Sequence, residues 1–242
     1  MSLKQAEILG VNVNSLTMVQ AVEKVQQFID ERKNALVATA NAEMLMRATQ
    51  DEELKHILNS ADLVVPDGAG TVWAANYLGV EMPERVAGYD LAQELMREAP
   101  GRGDRIYFFG SAPGVAETAR EKAMELYPGI KIVGTRNGFF SEADEPEIIA
   151  EIKAARPDIL LAALGVPKQE KWLYKYRQEL QVPVAIGVGG TLDVMAGVMQ
   201  RAPLWMQKAK LEWLFRGLKQ PSRAGRLLAL PKFVMKVMAS KK

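Results

Sequence analysis

Apolar residues recur along this chain in alternating helical and strand-like rhythms. Met18, Val22, Val25 and Ile29 stand three or four positions apart, the spacing of one helical face, and Ser15 or Thr17 can cap the start. The segment "ALVATAN" (35–41) reads as a short buried strand with a polar end, and a helical stretch follows it through about Leu58. "DLVVPDG" is the next strand, 69–79 the next helix, and "VAGYDLAQELMREA" (86–99) a further helix. Strands at 105–111, 130–135, 158–165 and 184–190 then alternate with helices at 113–127, 145–155 and 167–180.

Strands that are apolar throughout, interleaved with helices, predict a Rossmann-like α/β fold with a mostly parallel sheet covered on both faces. Such sheets hold ligands beyond the carboxyl ends of their strands. The residues at those ends are Thr39 and Asn41; Asp67 and Gly68; Gly110 and Ser111; Gly165, Lys168 and Gln169; and Gly189 to Thr191 with Asp193. Small, polar and backbone-exposing residues recur there. After about Ala202 the rhythm changes, which divides the chain into a body, 1–200, and an appended helical segment, 201–242. Pro221 and Pro231 split that segment into two or three short helices.

Composition narrows the class. The 242 residues are ample for a core, and the absence of cysteine excludes a disulfide framework. The single histidine, His56, excludes a His-rich metal site and is expected on a helix surface. The opening "MSLKQAEILG" lacks the apolar stretch of a secretory signal, and no apolar run reaches the length that spans a bilayer. Net charge is +2, unevenly distributed. Residues 201–242 hold eleven Lys or Arg and one acid, Glu212, leaving +10 there and −8 on the body. A basic, aromatic and amphipathic segment fits an anionic membrane surface; docking on its own body or on another subunit is the alternative.

The candidate chemistry follows from the strand ends. "FFGSAPGVAETA" (108–119) and "GVGGTLD" (187–193) place glycine turns at helix starts, which suit a diphosphate and equally suit ordinary tight turns. Asp67 reads as a general base or as a helix cap. Lys168 stands in a helix's first turn, against the macrodipole, where contact with an anionic ligand or with solvent explains it. Arg85 can reach a phosphate or solvent. No G-x-G-x-x-G, Walker A, G-x-S-x-G or D-x-D sequence is present, so metal-independent chemistry without a cofactor is expected.

Taken together, "TANAEMLMRA", "ADLVVPDGAGTVWAA", "PERVAGYDL", "FFGSAPGVAETA", "DILLAALGVPKQEKW" and "GVGGTLDVMAG" resemble the WecG/TagA/CpsF glycosyltransferases, from about Ile8 into the basic tail. The resemblance is to the branch that transfers N-acetylmannosamine. It implies an inverting transfer from UDP-N-acetylmannosamine to the 4-hydroxyl of N-acetylglucosamine on undecaprenyl diphosphate, forming the β-1,4 disaccharide linkage unit of wall teichoic acid. It implies Asp67 as base, Thr39, Asn41, Arg85 and Gln169 in substrate handling, and Arg216, Arg223 and Arg226 reaching the diphosphate from a tail that closes the site at the inner face of the cell membrane. Gly110, Ser111, Gly165, Lys168, Gly189 and Asp193 are then the residues expected at the donor nucleotide, and self-association is expected when no membrane is present. Other readings are a family member using another UDP-sugar, a nicotinamide-dependent dehydrogenase, against which the missing fingerprint stands, and a membrane-bound nucleotide-binding protein without chemistry. The acidic body argues against a nucleic-acid partner.

Overall fold

The first structured element is a hairpin that the helix-strand rhythm does not foretell. Strands β1 (Gln5–Ile8) and β2 (Val11–Asn14) pair antiparallel, and the two turn residues, Leu9 and Gly10, both have positive φ, as a tight two-residue turn requires. Ala6, Ile8, Val11 and Val13 alternate inward and are fully buried. The chain is seen here in a computed structural model that describes residues 3–203, 205, 206, 212, 214, 215 and 229–241.

Helix α1 (Met18–Asp30) starts at Thr17, whose side chain accepts from the Gln20 N–H while the Gln20 side chain accepts from the Thr17 N–H. The six apolar runs become β3 (Ala35–Ala40), β4 (Leu63–Pro66), β5 (Arg105–Gly110), β6 (Lys131–Arg136), β7 (Ile159–Ala163) and β8 (Val184–Gly187). They form one all-parallel sheet in the order β4-β3-β8-β7-β5-β6, the expected α/β architecture.

Between β3 and β4 the expected single helix is two: α2 (Ala42–Ala48) and α3 (Glu52–Ser60). Asp51 breaks the run because its carboxylate caps α3, accepting from the Leu54 N–H at 3.0 Å. The remaining helices are α4 (Ala69–Tyr77), α5 (Gly88–Arg102), α6 (Val115–Leu126), α7 (Glu145–Ala155), α8 (Lys168–Leu180) and α9 (Thr191–Met195). His56 lies exposed on α3, as expected.

Alternate strand residues serve opposite faces. Val37, Val65, Phe108, Leu161 and Ile186 pack with α1, α5, α6 and α9. Leu36, Phe109 and Leu160 face α7 and α8, while Ala38, Ala40 and Val64 face the hairpin, α2, α3 and α4.

A last helix, Ala229–Ser240, closes this second layer by burying Phe233 and Val237 against α2 and α4. Pro231 lies in its first turn, where the missing N–H costs nothing. Lys236 Nζ donates to Thr49 Oγ1 at 2.7 Å and Lys241 Nζ to the Tyr77 carbonyl at 2.8 Å, while Met235 and Met238 face outward. Among the described residues no helix is long and apolar enough to cross a membrane. Arg216, Lys219, Pro221, Arg223 and Arg226 lie outside the described residues.

Candidate active site

Register decides what converges at the carboxyl edge of the sheet. Ala40 of β3 is paired with Pro66 of β4, so the next residues, Asn41 and Asp67, leave neighbouring strands side by side. Ala162 of β7 is paired with Gly187 of β8, which brings the loop before α8 next to the loop before α9. Between these pairs lies a cleft with about 670 Å³ of empty space, counting the solvent at its open mouth. Thr39, Asn41, Asp67, Tyr89, Gln169, Gly189, Arg201 and Glu212 are among its walls.

Asp67 is held by its backbone. Its N–H points to the Ala40 and Val65 carbonyls, at 3.0 and 3.1 Å, and its own carbonyl accepts from Thr71 Oγ1 at 3.2 Å. Thr71 Oγ1 also contacts the Ala40 carbonyl at 3.0 Å, tying the first turn of α4 to both strand ends. The N-cap position of α4 is Gly68, not Asp67. Gly68 has φ of 90°, a conformation suited to glycine, and among the described residues a methyl group there would meet only Asn41 Cβ, at 3.9 Å. The backbone beside Asp67 is therefore open to a ligand.

Thr39 is buried, and its hydroxyl donates to the Gly187 carbonyl at 2.9 Å, clamping β3 to β8 below the cleft. Asn41 caps α2, with Oδ1 accepting from the Met44 N–H at 3.0 Å. That bond leaves the Asn41 amide NH2 as its group for a ligand.

Gln169 is 1% exposed and both ends of its amide are hydrogen-bonded. Its Oε1 accepts from the Gly165 N–H at 3.2 Å and the Gly189 N–H at 3.1 Å, joining the two loops, and its Nε2 donates to Glu170 Oε1 at 2.7 Å. Burial pushes the Glu170 carboxyl up to about 7, opposed by the Gln169 bond and more weakly by Arg47.

The mouth of the cleft carries a four-membered ionic network. Arg85 sits on a loop pinned by the Val86 N–H to the Pro66 carbonyl, 3.0 Å. It reaches Glu212 at 2.9 Å and Asp90 at 3.4 Å. Arg201 reaches the same two carboxylates, Asp90 at 2.6 Å and Glu212 at 3.5 Å, and lies over the Tyr89 ring, 4.5 Å from its centre. Burial works against the Arg201 charge, but the bonds to Asp90 and the two nearby carboxylates leave its pKa above the ordinary value. Burial likewise raises the Tyr89 hydroxyl, with Arg201 opposing.

The expected nucleotide residues divide. Gly189 lines the cleft beside Gly190 and Thr191, and Asp193 stands in the first turn of α9, near Gly190. Among the described residues nothing stands where a side chain on Gly165 or Gly189 would lie, though their N–H groups are committed to Gln169. Gly110 ends β5, where any side chain would overlap the Ala163 backbone. Ser111 follows it with φ of 59° and a buried hydroxyl that has no hydrogen-bond partner among the described residues. Lys168 has a local reason for its place in the first turn of α8: Nζ donates to the Gly138 carbonyl at 3.2 Å and lies 3.9 Å from the centre of the Phe140 ring. Of the six, Gly189 is among the walls of the cleft, and Gly110, Ser111, Gly165, Lys168 and Asp193 are not. Arg216, Arg223 and Arg226 fall outside the described residues.

Sequence reasoning missed Tyr89, Asp90, Glu170, Arg201 and Glu212. Only Glu212 carried a signal, as the single acid after position 200.

The sequence model of the glycosyl transferase WecG/TagA/CpsF family matches residues 6–242. The chain is 37% identical over 211 residues to a protein of Bacillus spizizenii (strain ATCC 23059 / NRRL B-14472 / W23) named N-acetylglucosaminyldiphosphoundecaprenol N-acetyl-beta-D-mannosaminyltransferase, covering 87% of this chain and 81% of that one. Proteins of the same name match in Bacillus subtilis (strain 168), 34% identical over 96% of this chain and 89% of the relative, and in Staphylococcus aureus (strain MW2), 32% identical over 98% and 94%.

Proposed function

The chain belongs to the WecG/TagA/CpsF glycosyltransferase family, and from that premise we propose that it transfers N-acetylmannosamine from UDP-N-acetylmannosamine to N-acetylglucosamine on undecaprenyl diphosphate. The names of its relatives supply the transferred sugar and the acceptor. The observation that carries the mechanism is Asp67, a carboxylate with a fixed backbone at the wall of the cleft, beside a glycine that leaves room for substrate.

In this reading the Asp67 carboxylate takes the proton of the acceptor 4-hydroxyl as that oxygen attacks the anomeric carbon of the donor sugar. The new bond forms on the face opposite the leaving group, the bond from C1 to the diphosphate oxygen breaks, and UDP departs with the electron pair. The anomeric configuration inverts, giving a β-1,4 linkage, the disaccharide unit on which wall teichoic acid is built. The Asn41 NH2 and the arginines at the mouth are suited to the sugar hydroxyls and the diphosphates. The tail, with its excess of positive charge, the 65% exposed Trp205, and the outward Met235 and Met238, docks on the anionic inner face of the membrane, where the lipid acceptor resides.

The test is a panel of UDP-sugars assayed against one lipid-diphosphate N-acetylglucosamine acceptor, with wild type and Asp67→Asn. UDP-N-acetylmannosamine is expected to be the preferred donor, the rate to persist in chelator, and Asp67→Asn to fold normally with turnover lower by about 10²–10⁴. Wild-type turnover in Asp67→Asn removes Asp67 as the base. Preference for another donor moves the chain to a different branch of the family. Flotation on anionic vesicles, with and without residues 201–242, tests the docking separately.

A further inference from the structure

Glu170 is 2% exposed, yet no step of the transfer uses it. It lies in the first turn of α8 with Oε1 accepting from Gln169 Nε2, while Oε2 is buried without a hydrogen-bond partner among the described residues. Burying a carboxyl so incompletely satisfied is costly, and an apolar residue would fill the space more cheaply. The neighbour that Glu170 does satisfy gives the reason.

A primary amide has two unlike ends. The Gln169 amide faces two N–H donors, those of Gly165 and Gly189, at one end, and these require its oxygen there. Its NH2 must then meet an acceptor on the other side, and Glu170 Oε1 is that acceptor. Turned over, the amide would oppose NH2 to two N–H groups and lose both loop contacts. The space is made for this arrangement. A methyl group on Gly187 would lie 2.5 Å from Gln169 Nε2 and 3.0 Å from Glu170 Oε1. The carbonyl of the same Gly187 accepts from Thr39. Thr39, Gly187, Gln169 and Glu170 are therefore neighbours, Thr39 and Gln169 in the wall of the cleft and Gly187 and Glu170 behind it.

We propose that Glu170 is a positioning residue for the transfer: it fixes the orientation of the Gln169 amide, which holds the loops of Gly165 and Gly189 in the geometry that receives the donor's diphosphate. The inference rests on the reading of the cleft as the donor site. Glu170 touches no reacting atom, so its loss acts on donor binding and spares the proton transfer at Asp67.

The experiment compares Glu170→Met, which keeps the bulk and removes the acceptor, with Glu170→Gln, whose side-chain oxygen can still accept from Gln169. For Glu170→Met the KM for UDP-N-acetylmannosamine is expected to rise about tenfold with kcat changed less than about threefold, and Glu170→Gln is expected to restore most of the KM. Amide hydrogen exchange at Gly165 and Gly189 gives a readout independent of turnover. It should quicken about tenfold in Glu170→Met and return towards wild type in Glu170→Gln. Wild-type KM and wild-type exchange in Glu170→Met overturn the proposal, as does a Glu170→Gln variant as impaired as Glu170→Met. If the wild-type protein transfers no sugar from this donor, the functional reading fails, while exchange at the two glycines still decides the role of Glu170.

Discussion

Arg85 and Glu212 are 127 positions apart in the chain and 2.9 Å apart in the structure. This contact joins the loop between α4 and α5 to the only acidic residue beyond position 200. It is doubled by Arg201, which shares both Glu212 and Asp90 with Arg85. Glu212 is 7% exposed, so the pairing is largely desolvated and sensitive to the loss of either sign.

Replacing Glu212 with Gln leaves Arg85 and Arg201 sharing Asp90 alone. The expected loss is about 1–3 kcal/mol, a fall of several degrees in Tm for a chain of this size. Scanning calorimetry reads it. A Tm equal to wild type means that Glu212 stands away from the two arginines in solution.

The C-terminal helix makes a separate prediction. Phe233 is completely buried between α2 and α4. Phe233→Ala should cost about 3–5 kcal/mol if the helix unfolds together with the body. Urea denaturation measures the cost, and an unshifted midpoint would show that the helix is undocked in the free protein.

Gly187 has a packing role that no catalytic reading requires. Gly187→Ala drives a methyl group into Gln169 and Glu170, an overpacking expected to cost about 1–3 kcal/mol and to weaken donor binding. Thermal unfolding together with UDP affinity tests it. A stable variant with unchanged affinity would mean that the wall yields freely.

Glu170 gives stability a pH dependence of known sign. Burial raises its pKa from the ordinary 4.5 to about 7, so between those values the folded state holds a proton that the unfolded state releases. The neutral form's contribution is complete below about pH 4.5 and disappears as pH rises past about 7. A shift of that size corresponds to about 3 kcal/mol. The stability of wild type minus that of Glu170→Gln should therefore fall across this window, with Arg47, the cation acting on Glu170 from α2, reducing the fall. Parallel stability curves for the two proteins would place the Glu170 pKa near its ordinary value.

Much of the fold was legible because local rules agreed. The six strands read as apolar runs are the six strands of the sheet, and Thr17 caps α1. The errors were local as well. The hairpin escaped because its turn places Leu9, not Asn or Gly, at a positive-φ position, and the break between α2 and α3 rests on a single cap at Asp51. Within the site, Asp67, Asn41 and Gln169 were found by their place after strands. Tyr89, Arg201 and Glu170 were not, because an arginine before a proline-containing segment or a glutamate in a helix's first turn has no distinguishing local pattern.

The sequence by itself determined the six strands of the sheet and most of the helices, since hydrophobic periodicity and caps act over a few residues. It also determined that polar and small residues collect where strands end. Only the tertiary structure decided that Ala40 is paired with Pro66 and Ala162 with Gly187, and hence which strand ends share a cleft. Register between distant strands is set by packing summed over both faces of the sheet, and the partners of Gln169, Arg85 and Glu212 exist only once that sum is made.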